Sequence, residues 1–289
     1  MTDLREAALA WRAAGRPAVV VEVAAHRGSV PREAGTRMLV ATDEVVGTIG
    51  GGHLELQAIA QARELIGLPG ATTRHQDLAL GPSLGQCCGG ALTLRYTPLA
   101  LDAPQAWPVR AARFALQLYG AGHVGRAIAA LLARLPCRVQ WIDERDSEFP
   151  AEPSPRHIER VCVEPVQAEV AQAPPGAFYL VLTHSHDLDL AITHEICKRG
   201  DFGFFGLIGS KTKKRRFEHR LAERGIAEEV LARITCPIGL PGIEGKEPEV
   251  IALAAVAQLM QAAGAAAASF AGPAERPSAE GRPQVFSRS

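Results

Sequence analysis

A glycine turn followed at a distance by an acidic residue is the part of this sequence whose residue types and spacing suit ligand chemistry. The apolar run 114–119 leads into GAGHVG (120–125), a G-x-G-x-x-G, and an Ala- and Leu-rich run follows as far as Pro136. A second strand-like run, 138–142, ends on Asp143. This order of strand, glycine turn, helix, strand and acid makes the motif informative and predicts a nucleotide-type binding geometry.

Each residue of the turn has its own expected role. Gly120 allows the tight turn, Gly122 lets backbone N–H groups approach a diphosphate, and Gly125 lets the helix lie close to the strand. The helix N-terminus at His123 presents partial positive charge to the ligand, and Asp143 is expected to accept hydrogen bonds from a ribose. The alternative is a turn whose glycines serve packing alone, and the motif does not say which ligand is held.

A second glycine-rich segment, GTIGGG (47–52), opens into a predicted helix. Three successive glycines cost conformational entropy, so they suit either a close backbone approach to a ligand or an anion-binding nest. A flexible turn is the alternative. The binding residues expected here are Gly50, Gly51, Gly52 and His53.

Two adjacent cysteines lie in a third glycine-rich segment, GPSLGQCCGG (81–90). Structural cysteines are usually buried in apolar elements, so a thiol in a polar loop is expected to be accessible. Adjacent side chains in extended chain point in opposite directions. We therefore expect either Cys87 or Cys88 to face the functional space while the other packs.

Polar residues also follow the strand-like run 178–183. Ligands bind beyond the carboxyl ends of the strands in an open parallel sheet, so this position predicts a role in binding. His184 and His186, with Asp187, are candidates for metal ligation, which needs a further ligand from elsewhere, or for direct ligand contact. The alternative is that His186 or Asp187 caps the next helix.

A basic run follows the strand-like run 203–208. Ser210 is a natural N-cap, and the run that begins at Lys211 places cations where the helix dipole disfavours them. This indicates a compensating anion, either a phosphate or an acidic partner protein. Part of the run is expected to be solvated surface, because its residues do not share one helix face.

The order of elements predicts an α/β protein. Residues 1–97 read as a small mixed α/β N-terminal domain, and the proline-rich stretch that follows reads as a linker over 98–112. Residues 113–263 alternate strands and helices, which predicts a Rossmann-like C-terminal domain with a parallel sheet and helices on both faces. Residues 264–289 show no pattern and are expected to form a disordered tail.

Composition excludes several classes of protein. Lys+Arg and Asp+Glu both number 31, so the basic excess of nucleic-acid or membrane binders is missing. No apolar run approaches the length of a membrane span, about 20 residues, and the first residues show no secretory pattern. We therefore expect a cytoplasmic protein whose six cysteines are thiols. The sequence contains no C-x-x-C pair, which argues against a zinc ribbon.

Together these motifs resemble those of the XdhC/CoxI family, the accessory proteins of xanthine dehydrogenase and related molybdenum hydroxylases. The resemblance spans nearly the whole chain except the tail, with the motifs in order. The matching segments are GSVPREAGTRMLV (28–40), GTIGGGHLE (47–55), QCCGG (86–90), LYGAGHVG (118–125), WIDERD (141–146), VLTHSHDLDL (181–190), GLIGSKTKKRRFEHRL (206–221) and CPIGLPGIEGKEPEVIALAAVAQ (236–258). Residues 241–246 depart from the family's pattern, so no role is assigned to them.

The resemblance implies a chaperone rather than an enzyme. It implies that the protein binds molybdenum cofactor in its molybdopterin form, supports its sulfuration by a cysteine desulfurase, and inserts it into apo-xanthine dehydrogenase or a related hydroxylase. Molybdenum cofactor biosynthesis proteins are further implied partners, and a homodimer is left open. In this setting Cys87 or Cys88 is expected to supply a thiolate near molybdenum, because soft thiolates suit such metals.

Three other classes of function stay open on the sequence. An NAD-dependent oxidoreductase would use the GAGHVG motif and Asp143, although no clear acid/base pair accompanies them. A metal-binding or sulfur-transfer protein would use Cys87, Cys88 and the histidines. A protein-interaction module would use the glycines for structure only.

Overall fold

The computed structural model describes residues 4–80, 89–108 and 111–270. The chain divides into two compact units, Met1–Val109 and Arg110–Ser289. Cys87 and Cys88 lie outside the described residues, as does the part of the expected tail from residue 271 onward.

The first unit is built on a five-stranded antiparallel sheet with the strand order β3-β2-β1-β5-β4. Its strands are β1 (Ala18–Arg27), β2 (Arg37–Ala41), β3 (Val45–Gly47), β4 (Arg74–Ala79) and β5 (Ala91–Pro98). Two helices accompany the sheet, α1 (Leu4–Ala13) and α2 (Gly52–Ile66).

The central strand β1 contributes to a core on each face of this sheet. Successive side chains of a strand point to opposite faces, so a run of buried valines can serve two cores. Val19 and Val21 pack in the cluster that includes Leu54 of α2. Val20, between them, packs in the cluster that includes Ala8 of α1. The prediction of a small mixed α/β unit is therefore confirmed.

The segment after β5 corrects the expected linker over 98–112. It forms two short 3-10 helices, Leu99–Leu101 and Pro104–Ala106. Leu99 and Trp107 are buried in the same cluster as α1, and the Trp107 indole N–H donates to Asp102 Oδ1 at 2.8 Å. Residues 99–107 are therefore a packed part of the first unit, because two large apolar side chains outweigh the lack of helical or strand periodicity.

The second unit is a six-stranded parallel sheet with the strand order β11-β10-β9-β6-β7-β8. Its strands are β6 (Ala115–Tyr119), β7 (Arg138–Asp143), β8 (Ile158–Cys162), β9 (Phe178–Val181), β10 (Phe204–Leu207) and β11 (Ile234–Thr235). Its helices are α3 (His123–Leu132), α4 (His186–Arg199), α5 (Lys211–Ala222), α6 (Glu228–Ala232) and α7 (Pro248–Phe270). This strand order is that of the Rossmann fold, and it confirms the predicted fold class.

Helices cover both faces of the parallel sheet, as predicted. Tyr119 and Val181 face a cluster that also contains Phe217 of α5. Leu118 and Leu180, their neighbours in the strands, face the opposite cluster with α3 and α7. Because both faces of these strands are buried, their sequences read as continuous apolar runs.

Helix α7 corrects the expected start of the disordered tail. The helix runs to Phe270, so residues 264–270 continue it instead of beginning a disordered segment at residue 264. The run is rich in alanine, the residue with the highest helix propensity, and this favours continuation of the helix.

Helix α7 also corrects the expectation that no segment approaches a membrane span. Its first 18 residues, Pro248–Ala265, have the length and the mean hydropathy, 1.2, of a candidate span. In this structure Ala252, Ala255 and Leu259 of the helix are buried in the cluster that includes residues of α3. One face of α7 therefore packs within the second unit, and 33% of these 18 residues are buried.

Candidate functional site

The strand order of the second unit places a crevice at the carboxyl edge of its sheet. The order reverses between β6 and β9, and open α/β sheets bind ligands at such a switch point. A narrow cleft lies there. It is lined by Tyr119, Gly120, Ile142, Asp143, Glu144, Val166, Thr183, His184 and Leu188.

Two glycines of the turn after β6 are required by the packing of the protein itself. Gly120 has φ +114°, and a Cβ on it would lie 2.4 Å from the carbonyl oxygen of Leu182. A Cβ on Gly125 would lie 2.0 Å from the carbonyl oxygen of Gly120. The structure thus confirms the expected tight turn at Gly120 and the close approach of α3 to the strand at Gly125.

The middle glycine of the turn is different, because nothing in the protein requires it. Gly122 has φ −67°, and a Cβ built on it meets nothing within 4 Å. Gly122 is the N-cap of α3 and makes no side-chain cap. The backbone N–H of Arg126 donates to the carbonyl oxygen of Gly122 at 2.9 Å, and it is the first amide of α3 with a backbone acceptor in the described residues. Within the described part of the chain, the backbone N–H groups of residues 123–125 therefore stay available to an anion.

Asp143 is more deeply engaged than the sequence suggested. Its Oδ2 accepts from the backbone N–H of Ala121 at 2.7 Å, and its Oδ1 accepts from the backbone N–H of Arg145 at 3.0 Å. The Arg145 guanidinium donates to both oxygens, at 3.0 Å each. Burial alone raises the pKa of Asp143, but the hydrogen bonds from Arg145 and Ala121 outweigh burial and lower it. The acid is thus ionised, and its role as a ribose acceptor stays a prediction.

The two histidines after β9 have different surroundings. His184 lines the crevice, with Nε2 3.6 Å from Glu144 Oε1. The His186 ring, on α4, lies 3.2 Å from an Arg216 guanidinium nitrogen of α5. The described residues contain no group of three or more His, Cys, Asp or Glu side chains that could hold a metal ion. Metal ligation by these histidines therefore has no support there.

The residue that caps α4 also differs from the expectation. Ser185, rather than His186 or Asp187, is the N-cap, and its Oγ accepts from the backbone N–H of Leu188 at 3.4 Å. Asp187 instead lies 3.6 Å from a guanidinium nitrogen of Arg220. Serine is a strong N-cap residue, because its hydroxyl oxygen reaches the free amides of the first turn.

The N-terminus of α5 lies after the next strand along the sheet. Ser210 is its N-cap, as predicted, and accepts from the backbone N–H of Lys213 at 3.2 Å. Lys211 is exposed in the first turn. The first turn contains no acidic residue, so the helix dipole is not offset within α5 itself.

The carboxylate of Asp189, in the same unit, pairs with one lysine of this basic run. Lys213 is buried, and its Nζ donates to Asp189 Oδ2 at 2.5 Å and to the backbone carbonyl of Ile208 at 2.8 Å. Asp189 Oδ1 accepts from the backbone N–H of Thr183 at 3.0 Å and from its hydroxyl at 2.7 Å. The pair therefore joins the loop after β9 to the loop after β10.

Sequence reasoning missed Asp189, which is only 1% exposed. The signal that could have found it is the set of lysines in the first turn of α5. These residues predicted a compensating anion, which was sought in a ligand or a partner. For Lys213 the anion is a carboxylate of the same unit, 24 residues away along the chain.

The glycine turn before α2 also holds an anion of its own. The Glu55 carboxylate accepts from Thr48 Oγ1 at 2.5 Å and from the backbone N–H groups of Ile49 and Gly51 at 2.9 and 3.0 Å. Burial alone raises the pKa of Glu55, but these hydrogen bonds outweigh burial and lower it from 4.5. The backbone N–H groups of this turn therefore form the predicted anion nest, and the Glu55 carboxylate occupies it. The sequence alone did not single out Glu55.

The other residues predicted around this turn have separate roles. Gly50, Gly51 and Gly52 all have positive φ, and a Cβ on Gly50 would lie 2.5 Å from Pro31 Cβ. His53 is exposed, with its Nε2 3.0 Å from Gln57 Nε2. Gly51 and Gly52 meet nothing within 4 Å, so conformation rather than packing demands glycine at these two positions.

The described cysteines are free thiols, as expected. Cys137, Cys197 and Cys236 are buried, and Cys162 is exposed. Burial raises the pKa of Cys137 to about 11 and that of Cys197 to about 12, so both stay protonated at neutral pH. The accessible-thiol hypothesis rests on Cys87 and Cys88, which lie outside the described residues.

Comparison with known proteins places both units in one family. Residues 116–259 match the XdhC Rossmann domain, and residues 11–76 match the XdhC and CoxI family. The uncharacterized protein YqeB of Escherichia coli (strain K12) is 29% identical over an alignment of 252 positions, and the match covers 85% of this chain and 43% of YqeB. The chain thus spans less than half the length of that curated relative.

A solved structure shares the fold. The crystal structure of a protein described as a xanthine dehydrogenase (BH1974) from Bacillus halodurans matches with a TM-score of 0.68 and 19% identity. The match covers 94% of this chain and 98% of that chain. At this identity the likeness concerns the fold.

Two glycine substitutions should separate packing from binding. Gly125→Ala is expected to lower the free energy of unfolding by about 1–3 kcal/mol, because its Cβ would overlap the Gly120 carbonyl. Gly122→Ala is the matched control and should change it by less than about 0.5 kcal/mol. Urea unfolding followed by circular dichroism measures both, and equal losses would contradict the assigned roles.

Glu55→Gln should destabilise the first unit in a pH-dependent way. Loss of hydrogen bonds to a charged carboxylate is expected to cost about 1.5–3 kcal/mol at pH 7. Because the pKa of Glu55 is lowered in the folded state, its contribution is present above the ordinary value of 4.5 and is lost as pH falls through the folded pKa. Unfolding curves of the two proteins should therefore converge at acid pH. Glu64→Gln, at an exposed position of α2, is the control and should change the free energy of unfolding at pH 7 by less than about 0.5 kcal/mol.

Asp189→Asn should destabilise the second unit strongly. It leaves the buried Lys213 ammonium without its counter-charge, which is expected to cost about 3–5 kcal/mol. Lys214→Met, which breaks the partly exposed pair with Glu218, should cost less than about 1 kcal/mol. Urea denaturation compares the two variants, and similar losses would show that the buried pair has no special role.

Proposed function

The chain belongs to the XdhC and CoxI family, and from this membership we propose that it is an accessory protein for xanthine dehydrogenase or a related molybdenum hydroxylase. In this proposal it binds molybdenum cofactor in its molybdopterin form as cargo. It supports sulfuration of the cofactor by a cysteine desulfurase and inserts it into the apo-enzyme. The site is the crevice at the carboxyl edge of the parallel sheet in the second unit.

The observation that carries the proposal is the open N-terminus of α3. The amides of residues 123–125 have no acceptor within the described chain, and the Cα of Gly122 faces open space. Molybdenum cofactor is an anionic pterin that carries a phosphate. A helix N-terminus with free amides suits that group, because the hydrogen bonds and the helix dipole both favour a negative charge.

Residues at the neighbouring strand ends supply further contacts in the proposal. His184 lines the crevice after β9. Lys211, in the first turn of α5 after β10, is an exposed cation with no acidic residue in the same turn. An anionic cargo would offset this charge. Cys87 or Cys88 would supply a thiolate for the cofactor or its sulfuration.

The oxidoreductase alternative is less well supported by the same geometry. An NAD site of this fold uses the acid after the second strand as a ribose acceptor. In this protein Ala121 and Arg145 already donate to both oxygens of Asp143. A carrier of a phosphate-bearing pterin needs the glycine turn but does not need that acceptor.

The cargo tests the proposal directly. The protein should be purified from cells that make molybdenum cofactor, its bound material oxidised to the fluorescent pterin, and its molybdenum measured. We expect about one pterin per chain in the wild type and at least a tenfold loss in Gly122→Val, because the branched side chain blocks phosphate at the helix N-terminus. Gly264→Ala, at an equally open glycine of α7, is the matched control and should keep the pterin.

Cys87→Ala and Cys88→Ala extend the test to the cysteine loop. Loss of sulfurated cofactor in one of them, with pterin retained, would identify the thiol used in sulfuration. A wild-type protein that carries no pterin but holds NAD would contradict the carrier function and favour the oxidoreductase.

A further inference from the structure

The strand-end acid of the crevice is fully occupied by donors from its own chain. An ionised carboxylate offers about four acceptor positions on its two oxygens. Oδ2 of Asp143 accepts from Ala121 N at 2.7 Å and from Arg145 Nη2 at 3.0 Å. Oδ1 accepts from the backbone N and from Nε of Arg145, both at 3.0 Å. The side chain of Asp143 is 4% exposed, so its oxygens offer little further surface to a ribose.

Neighbouring charges hold Arg145 in this position. Its Nη1 lies 3.7 Å from Glu148 Oε1, and the other oxygen of Glu148 accepts from Arg126 Nη2 at 2.6 Å. Arg126 Nε also donates to the backbone carbonyl of Glu148 at 2.9 Å. These two arginines and two carboxylates balance in charge. Arg145 is therefore paired with a carboxylate on each side, and the four side chains carry no net positive charge that would attract a second phosphate.

From this arrangement we propose that the crevice selects its ligand by a phosphate at the N-terminus of α3 and discriminates against a nucleotide ribose, with Arg145 as the specificity-determining residue. This inference rests on the proposed function of the crevice as a ligand site. The ligand class is a phosphate ester without a nucleotide, so the pterin phosphate is accepted and its dinucleotide forms are not. The 2′-phosphate of NADP gains nothing, because the Arg145 guanidinium is already paired.

Trp141 gives an optical signal for the test. Its indole N–H donates to the carbonyl oxygen of Gly120 at 3.0 Å, so its emission should respond to ligands at the glycine turn. Pyrophosphate, NAD⁺ and NADP⁺ are titrated into the full chain, and isothermal calorimetry confirms each constant. For the wild type we expect pyrophosphate to bind, and both dinucleotides to bind no more than about threefold tighter, since the ribose adds no hydrogen bond.

Arg145→Ala should reverse the discrimination. Removing the guanidinium frees two acceptor positions on Asp143, and NAD⁺ should bind at least about tenfold tighter than to the wild type. Pyrophosphate affinity should stay within about threefold, because α3 is unchanged. Arg134→Ala is the matched control: it removes an exposed arginine outside this charge cluster and leaves every donor of Asp143 in place, so NAD⁺ affinity should not rise.

Several outcomes would overturn the inference. Wild-type binding of NAD⁺ or NADP⁺ more than about tenfold tighter than pyrophosphate would show that the ribose is recognised. Lack of pyrophosphate binding would remove the phosphate anchor, and a folded Arg145→Ala protein without a gain for NAD⁺ would remove the role of Arg145. The wild-type titrations decide the first two points even if that variant does not fold.

Measuring bound pterin in the purified protein tests the carrier function separately from the ligand specificity of the crevice. Purified protein that carries pterin but also binds NAD⁺ tightly would overturn the specificity and leave the carrier function in place. Protein without pterin that binds pyrophosphate and rejects both dinucleotides would overturn the carrier function and leave the specificity in place.

Discussion

The buried ion pair between Asp189 and Lys213 holds together the edge of the sheet on which the crevice depends. Lys213, on α5, donates to Asp189 and to the backbone carbonyl of Ile208. Asp189, on α4, accepts from the backbone N–H of Thr183. Gly209 makes this possible, since a Cβ there would lie 2.5 Å from Lys213 Cδ. Both charges are nearly excluded from water, so each is tolerated only because the other is present. The positions of the two loops are therefore coupled.

The glycine turns before α2 and α3, both within the described residues, differ in where their anion comes from. In the first unit, Glu55 lies one turn into α2 and fills the nest formed by its own chain. In the second unit, α3 carries no acidic residue in its first turn, and Gly122 makes no side-chain cap. The same backbone chemistry thus gives a structural turn in one case and an open anion site in the other. A nearby carboxylate, rather than the number of glycines, makes the difference.

Family membership and geometry support the proposed carrier function at different levels. The family covers both units, whereas the chain spans only 43% of YqeB. The crevice adds chemistry that the family match does not state: free amides for a phosphate and a strand-end acid that its own arginine already occupies. A carrier suits these features because it needs to hold an anionic cargo and release it intact.

The sequence by itself determined the elements and the packing roles of the turn. Apolar periodicity predicted the parallel unit with helices on both faces, and the spacing of GAGHVG predicted why Gly120 and Gly125 must be glycine. Both signals are local, because they depend on residues within one or two turns of chain. Only the tertiary structure decided that Lys213 pairs with Asp189, that Arg145 occupies Asp143, and that residues 99–107 pack against α1. These outcomes depend on which side chains the strand order brings together, and on the cost of leaving a buried charge or a large apolar side chain without a partner, which sequence spacing does not encode.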